Sequence, residues 1–102
     1  MPINNYILSE ETDFDLEDIF EYSFAEFGLE QAIKYLEDIE DVFIKIVKTP
    51  QIGRTRNEIK KGLFSLPIGM HIVFYRILID HIRIVRVLHG GRDLPRHFKN
   101  IE

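Results

Sequence analysis

The spacing of hydrophobic residues in the first half of the chain predicts a short strand followed by two helices. Residues 3–8 are predicted to form a short first strand, and Ser9 can then cap a helix whose first turn is acidic. One stripe at helical spacing follows, formed by Leu16, Ile19, Phe20, Ser23 and Phe27. Gly28 is placed to end this helix.

A second stripe begins directly after that glycine and continues until Pro50 stops it. Its members are Leu29, Ala32, Ile33, Leu36, Ile39, Phe43, Ile46 and Val47. Two amphipathic helices joined by one glycine predict an antiparallel helical hairpin whose stripes need a covering layer. The aromatic residues at helical spacing are interpreted as hairpin core or hairpin–sheet contacts without a functional role: Phe20, Tyr22, Tyr35 and Phe43.

The second half of the chain changes to the pattern of strands. Residues 51–62 show no periodicity and carry several basic residues, which predicts an exposed loop. Three runs rich in Ile, Val, Phe and Tyr follow at 63–66, 70–79 and 82–88, separated by short turns. They predict a three-stranded antiparallel meander. The fold class is therefore α+β in the order β-α-α-β-β-β, one domain over residues 1–102 with the helices on one face.

The last two strands of this meander have no purely polar face. Strict alternation places Ile82, Ile84, Arg86 and Leu88 on one side, and Arg83, Val85, Val87 and His89 on the other. A sheet with one side in water should alternate more cleanly, and two helices cover only one side. We expect the remaining apolar face to be a docking surface. The alternative is that the C-terminal tail covers it.

Composition and charge narrow the class of protein. The chain has 102 residues, 45% of them hydrophobic, and no cysteine, which excludes disorder, a disulfide scaffold and thiol chemistry. No signal peptide or membrane helix is visible, so we expect a soluble cytosolic domain. The net charge of −4 is segregated: residues 9–41 carry 13 acidic residues and one lysine, whereas residues 42–102 carry 12 basic and 4 acidic residues. Such asymmetry marks an interaction surface or solvated helix faces.

Several segments of the second half resemble the ParE toxins of the RelE/ParE superfamily. The strongest marks are Phe74-Tyr75-Arg76, the run over residues 84–90 and Asp93-Leu94-Pro95-Arg96-His97. Gly28, Pro50 and Gly53-Arg54 occur in matching order. The resemblance implies a helical hairpin packed on a small antiparallel sheet. It also implies a toxin of a type II toxin–antitoxin pair, which inhibits DNA gyrase without enzymatic activity and is neutralised by a ParD-like antitoxin.

The candidate residues for contacts with the antitoxin and with gyrase lie in the second half of the chain. An antitoxin would contact the residues of the mixed strands, namely His71, Tyr75, Arg76, Arg83, Arg86 and His89. For Arg76 and Arg86 an internal ion pair with an acidic helix is an equal alternative. The segment assigned to gyrase inhibition is Arg92, Asp93, Leu94, Pro95, Arg96, His97 and Phe98. Its cations, proline and aromatic ring follow two glycines, although the same segment suits a tail that packs on the sheet edge.

Two other functions stay open. A ribosome-dependent ribonuclease of the sister RelE branch would use Arg76, Arg86, His89 and His97 for charge stabilisation and proton transfer. The low isoelectric point, about 5.5, weighs against ribosomal RNA as a target. The third possibility is an antitoxin-binding domain without toxicity. No metal site, cofactor, membrane contact or sequence-specific DNA binding by the toxin alone is expected.

Overall fold

The computed structural model describes residues 3–91, which form a helical hairpin and one five-stranded sheet. The elements are β1 (Tyr6–Leu8), α1 (Glu10–Phe27), α2 (Leu29–Lys48), a 3-10 turn (Pro50–Ile52), β2 (Arg54–Thr55), β3 (Leu63–Ile68), β4 (His71–Ile77) and β5 (Ile82–His89). The sheet order is β1-β5-β4-β3-β2. The predicted hairpin, meander and α+β class are confirmed.

The two helices begin and end at the residues that the sequence predicts. Ser9 caps α1, its Oγ accepting the Thr12 backbone N–H at 3.0 Å. Gly28 separates the helices with a φ of +93°, a conformation that favours glycine. The same Ser9 Oγ donates to the Val85 carbonyl, and Thr12 Oγ1 donates to the Ile84 carbonyl. The first turn of α1 is thereby fixed to the last strand.

Two details of the sheet differ from the expectation. The segment 51–62 is not only a loop, because β2 pairs antiparallel with β3 and extends the sheet by one short strand. Strand β1 is shorter than predicted and pairs in parallel with β5, so the sheet is mixed rather than antiparallel. A two-residue strand carries no alternation signal, and strand partners far apart in sequence leave no local trace.

The expected alternation along β5 is wrong in its second half. A bulge shifts the register between Phe74 and Tyr75, which pair with Arg86 and Ile84. Ile82, Ile84 and Val87 therefore share the core beneath the helices, whereas Val85 and Leu88 pack on the opposite side. The extra residue in a bulge moves every later side chain to the other face.

The side of the sheet opposite the helices, here called the far face, does not expose an apolar surface along these strands. Its cluster of Leu63, Phe74, Val85 and Leu88 is at most 2% exposed, with Ile59 and Ile72 packed against it. The expected open apolar docking face is not present there. No helix within the described residues is long and apolar enough to cross a membrane.

Candidate functional site

A groove opens between the helical hairpin and the ends of β4 and β5. Its volume is about 680 Å³. It is lined by Asp18, Ile19, Tyr22, Ser23 and Phe27 of α1, Gln31 and Tyr35 of α2, Gly69 and Met70 of the β3–β4 turn, and His71 and His89. We call it the histidine groove. The hairpin supplies its walls and the cross-strand pair His71–His89 lies at the sheet side.

A hydrogen-bond chain ties the two layers together inside the histidine groove. Tyr35 Oη donates to the Ile68 carbonyl at 3.1 Å and lies 2.7 Å from His71 Nδ1. The tautomer of His71 decides which of the two groups donates in this second contact. Burial raises the pKa of the Tyr35 hydroxyl above its ordinary value, which keeps it neutral. The His71 ring meets His89 edge-on at 5.6 Å.

The rim of the groove is apolar and open to solvent. Tyr22, Phe27 and Met70 are 59%, 65% and 64% exposed. An exposed aromatic and methionine rim around hydrogen-bonding side chains is typical of protein recognition surfaces. This arrangement suits the binding of an amphipathic peptide segment.

The six residues predicted to contact an antitoxin do not form one surface. His71 and His89 line the histidine groove. Arg76 and Arg83 are register partners on the far face, since their strand neighbours Tyr75, Ile77, Ile82 and Ile84 all belong to the core beneath the helices. The remaining two, Tyr75 and Arg86, are bonded within the protein, and neither is available to a partner in this structure.

Arg86 makes the internal ion pair that was the alternative interpretation. Its Nε and Nη2 donate to the two carboxylate oxygens of Asp15, each at 2.8 Å. Asp15 Oδ2 also accepts the Val87 backbone N–H at 3.0 Å. The bond to Asp15 raises the pKa of Arg86, and the side chains are only 17% and 11% exposed. This pair joins α1 to β5 and leaves no fork for an external carboxylate.

Tyr75 is fully buried and fastens the segment after α2. Its hydroxyl donates to the Pro50 carbonyl at 2.6 Å and accepts the Gly53 backbone N–H at 2.9 Å. Burial raises the pKa of the Tyr75 hydroxyl. The ring stacks on Phe64 with centroids 5.4 Å apart. Tyr75 therefore positions β2 and the 3-10 turn.

The residues proposed for ribonuclease chemistry are not brought together. Arg76 lies on the far face, His89 lines the histidine groove, and Arg86 is held by Asp15. The fourth, His97, lies outside the described residues, as does the whole predicted gyrase-inhibition segment 92–98. Within residues 3–91 no three metal-ligating side chains converge.

Sequence reasoning missed most of the groove. Tyr22 is largely exposed on the groove rim, which the sequence does not predict, whereas Tyr35 makes one of the predicted hairpin–sheet contacts. The available signal was that Tyr22 lies off the main α1 stripe. Asp15 was also missed, although it directly precedes Leu16 at the edge of that stripe.

Comparison with known proteins gives a consistent result. The family model described as the ParE toxin of the type II toxin-antitoxin system parDE matches residues 6–94. The chain is 34% identical to Toxin ParE1 of Mycobacterium tuberculosis H37Rv over 95 residues, covering 92% of this chain and 97% of the relative. It is 33% identical to Toxin ParE1 of Caulobacter vibrioides over 92 residues, covering 90% and 95%.

Solved structures share the fold. A chain of the chromosomal ParDE system from P. aeruginosa superposes with a TM-score of 0.75 at 19% identity, covering 86% of this chain and 96% of that one. The RelBE2 toxin–antitoxin complex from Mycobacterium tuberculosis gives 0.58 at 21% identity, covering 87% and 99%. At these identities the likeness concerns the fold.

Proposed function

We propose, from the premise that this chain belongs to the ParE toxin family of type II toxin–antitoxin systems, that it is a non-enzymatic inhibitor of DNA gyrase held inactive by a ParD-like antitoxin. The observation that carries the proposal is the family match over residues 6–94, which spans nearly the whole fold. Fold likeness alone would not support a target, because related scaffolds serve different functions.

The antitoxin binds in the histidine groove. Support comes from its apolar rim, its volume and the hydrogen-bonding groups of His71 and His89 inside it. An amphipathic segment laid there would bury the exposed side chains of Tyr22, Phe27 and Met70. Arg76 and Arg83 face away from this groove and would not contact a segment confined to it.

Gyrase is inhibited through protein contacts rather than by chemistry of the toxin. Support for a non-enzymatic action comes from the separate locations of Arg76, Arg86 and His89. Acid–base catalysis needs its groups within hydrogen-bond reach of one substrate. The inhibitory contact is assigned to segment 92–98, as the family resemblance of Asp93-Leu94-Pro95-Arg96-His97 implies.

The test is a plasmid cleavage assay with purified gyrase, ATP and this protein, stopped with detergent and protease. Linear DNA should accumulate with the toxin and disappear when its antitoxin is added first. A matched control uses the groove variant Met70→Ala, which should still produce linear DNA but respond less to antitoxin. Absence of linear DNA with folded toxin would contradict gyrase inhibition, and a ribosome-bound messenger cleavage assay would then separate a ribonuclease from a binding domain without toxicity.

A further inference from the structure

Arg76 and Arg83 form a cross-strand pair of like charges. They are direct register partners in β4 and β5 and both project from the far face. Side chains at opposite positions of an antiparallel pair have Cβ atoms about 4.5–5.5 Å apart, and like charges there destabilise the sheet. The two side chains therefore start as neighbours on this face, and the Arg76 guanidinium extends toward the start of β3, where its Nη2 would lie 3.6 Å from a Cβ added at Gly62.

Among the described residues, no carboxylate forms an ion pair with either arginine. The ion pairs within residues 3–91 use Lys34, Arg56, His81 and Arg86 as cations, and include neither Arg76 nor Arg83. Residues 42–91 contain two carboxylates, Glu58 and Asp80. Glu58 pairs with Arg56 and Asp80 pairs with His81.

Further basic residues lie next to the Arg76–Arg83 pair, and together these positions form a row from β5 across β4 to the start of β3. Arg76 pairs with Leu63 of β3, and Lys60 and Lys61 come just before that residue. Adjacent strands lie about 4.8 Å apart, so the row from β5 to β3 extends about 10 Å. A row of this length can reach neighbouring phosphates of one DNA strand, which carry the charge of the duplex.

We propose that Arg76 and Arg83, supported by Lys60 and Lys61, bind the phosphodiester backbone of duplex DNA without reading its sequence. Guanidinium forks match phosphate oxygens in geometry and charge. Single-stranded nucleic acid would require exposed aromatic side chains for base stacking. The exposed aromatic residues among those described, Phe14, Tyr22, Phe24 and Phe27, all lie on α1, and Phe74 of the far face is buried. The ligand class is therefore a double-stranded backbone.

The test follows the Arg Nε–Hε resonances of the intact chain by NMR during titration with a 20-base-pair DNA duplex at low salt. The signals of Arg76 and Arg83 should shift, and that of Arg86, which is held by Asp15, should shift far less. Poly-L-glutamate of equal charge and a 20-nucleotide single strand are the comparison probes. Shifts of the same size with poly-L-glutamate would overturn the proposal in favour of an acidic protein partner, and larger shifts with the single strand would also overturn it.

Salt dependence gives a second measurement with a matched control. Each phosphate contact contributes about 0.9 to the slope of log K against log salt concentration, so the double variant Arg76→Gln/Arg83→Gln should lower the slope by about 2. The double variant Lys45→Gln/Lys48→Gln removes the same charge from exposed positions of α2 and should leave the slope nearly unchanged. Equal losses in both variants, or no duplex binding by the wild type, would contradict the site. If the arginine variant fails to fold, the wild-type resonance shifts decide alone. Gyrase is absent from both measurements, so failure of the gyrase proposal would leave this result standing and the reverse also holds.

Discussion

Asp15 and Arg86 meet fork to fork across 71 residues of chain, with two nitrogen–oxygen distances of 2.8 Å. Because the Val87 N–H also donates to Asp15, one carboxylate fixes both the side chain and the backbone of β5. The pair lies beside the bulge that redirects the strand.

Asp15→Ala should lower the free energy of unfolding by about 3 kcal/mol, since it leaves a largely buried guanidinium without its partner. The measurement is urea denaturation at neutral pH. Lys34→Ala breaks the exposed pair with Asp38 and should cost far less, because solvent screens that pair. Similar losses in the two variants would show that the Asp15 pair is energetically an ordinary surface pair.

Gly53→Ala should destabilise the protein by about 2 kcal/mol through steric overlap alone. An added Cβ would lie 2.5 Å from Tyr75 Oη and 2.7 Å from the Ser65 carbonyl oxygen, although the φ of −77° suits alanine. Gly28→Ala is the complementary control, because its Cβ meets nothing within 4 Å but its φ is +93°. Thermal denaturation of both variants distinguishes the effect of steric overlap at residue 53 from the effect of backbone strain at residue 28. An unchanged melting temperature for Gly53→Ala would contradict the tight packing.

Stability should fall at alkaline pH because burial raises the pKa of Tyr75 above its ordinary value of 10.0. In the unfolded chain this hydroxyl ionises first, so the stabilisation is complete below about pH 10 and is lost as pH rises through the folded pKa. Urea denaturation at pH 8 and pH 11 measures the loss. Tyr75→Phe should be less stable by about 1–2 kcal/mol at pH 8, with a smaller further loss at pH 11. An equal pH effect in both proteins would assign it to other groups.

Tyr22→Ala should weaken antitoxin binding at least about tenfold while leaving the melting temperature nearly unchanged, because this exposed ring forms the rim of the histidine groove. Isothermal titration with the purified antitoxin measures the affinity. Phe14→Ala removes an equally exposed ring of α1 outside the groove and should bind normally. Antitoxin binding that is insensitive to Tyr22 but reduced by Phe14→Ala would place the antitoxin elsewhere on α1.

Deletion of residues 92–102 should abolish toxicity in growing cells while antitoxin binding survives. The groove is built from residues 18–89, so its walls precede the deletion. Colony counts after induction measure toxicity, and co-purification with antitoxin measures binding. Parallel loss of both would contradict the separate assignment of the two functions.

Local signals sufficed for the elements but not for their assembly. Ser9, Gly28 and Pro50 mark the helix boundaries because capping and proline chemistry act within a few residues. The parallel pairing of β1 with β5 and the Asp15–Arg86 ion pair both join residues more than 70 positions apart in sequence. The bulge in β5 likewise depends on how this strand pairs with β4. The histidine groove likewise arises only when the β3–β4 turn meets the hairpin, so no single segment predicts it.

The parallel pairing of β1 with β5 also determines when this fold can close during synthesis. Ser9 bonds to Val85, 76 residues later, and at about 5–20 residues per second a ribosome needs about 4–15 s to cover that distance. Both helices are synthesised within that interval, before the strand that anchors them. Strand β5 therefore completes the sheet, and the native surface forms only after this strand has been synthesised.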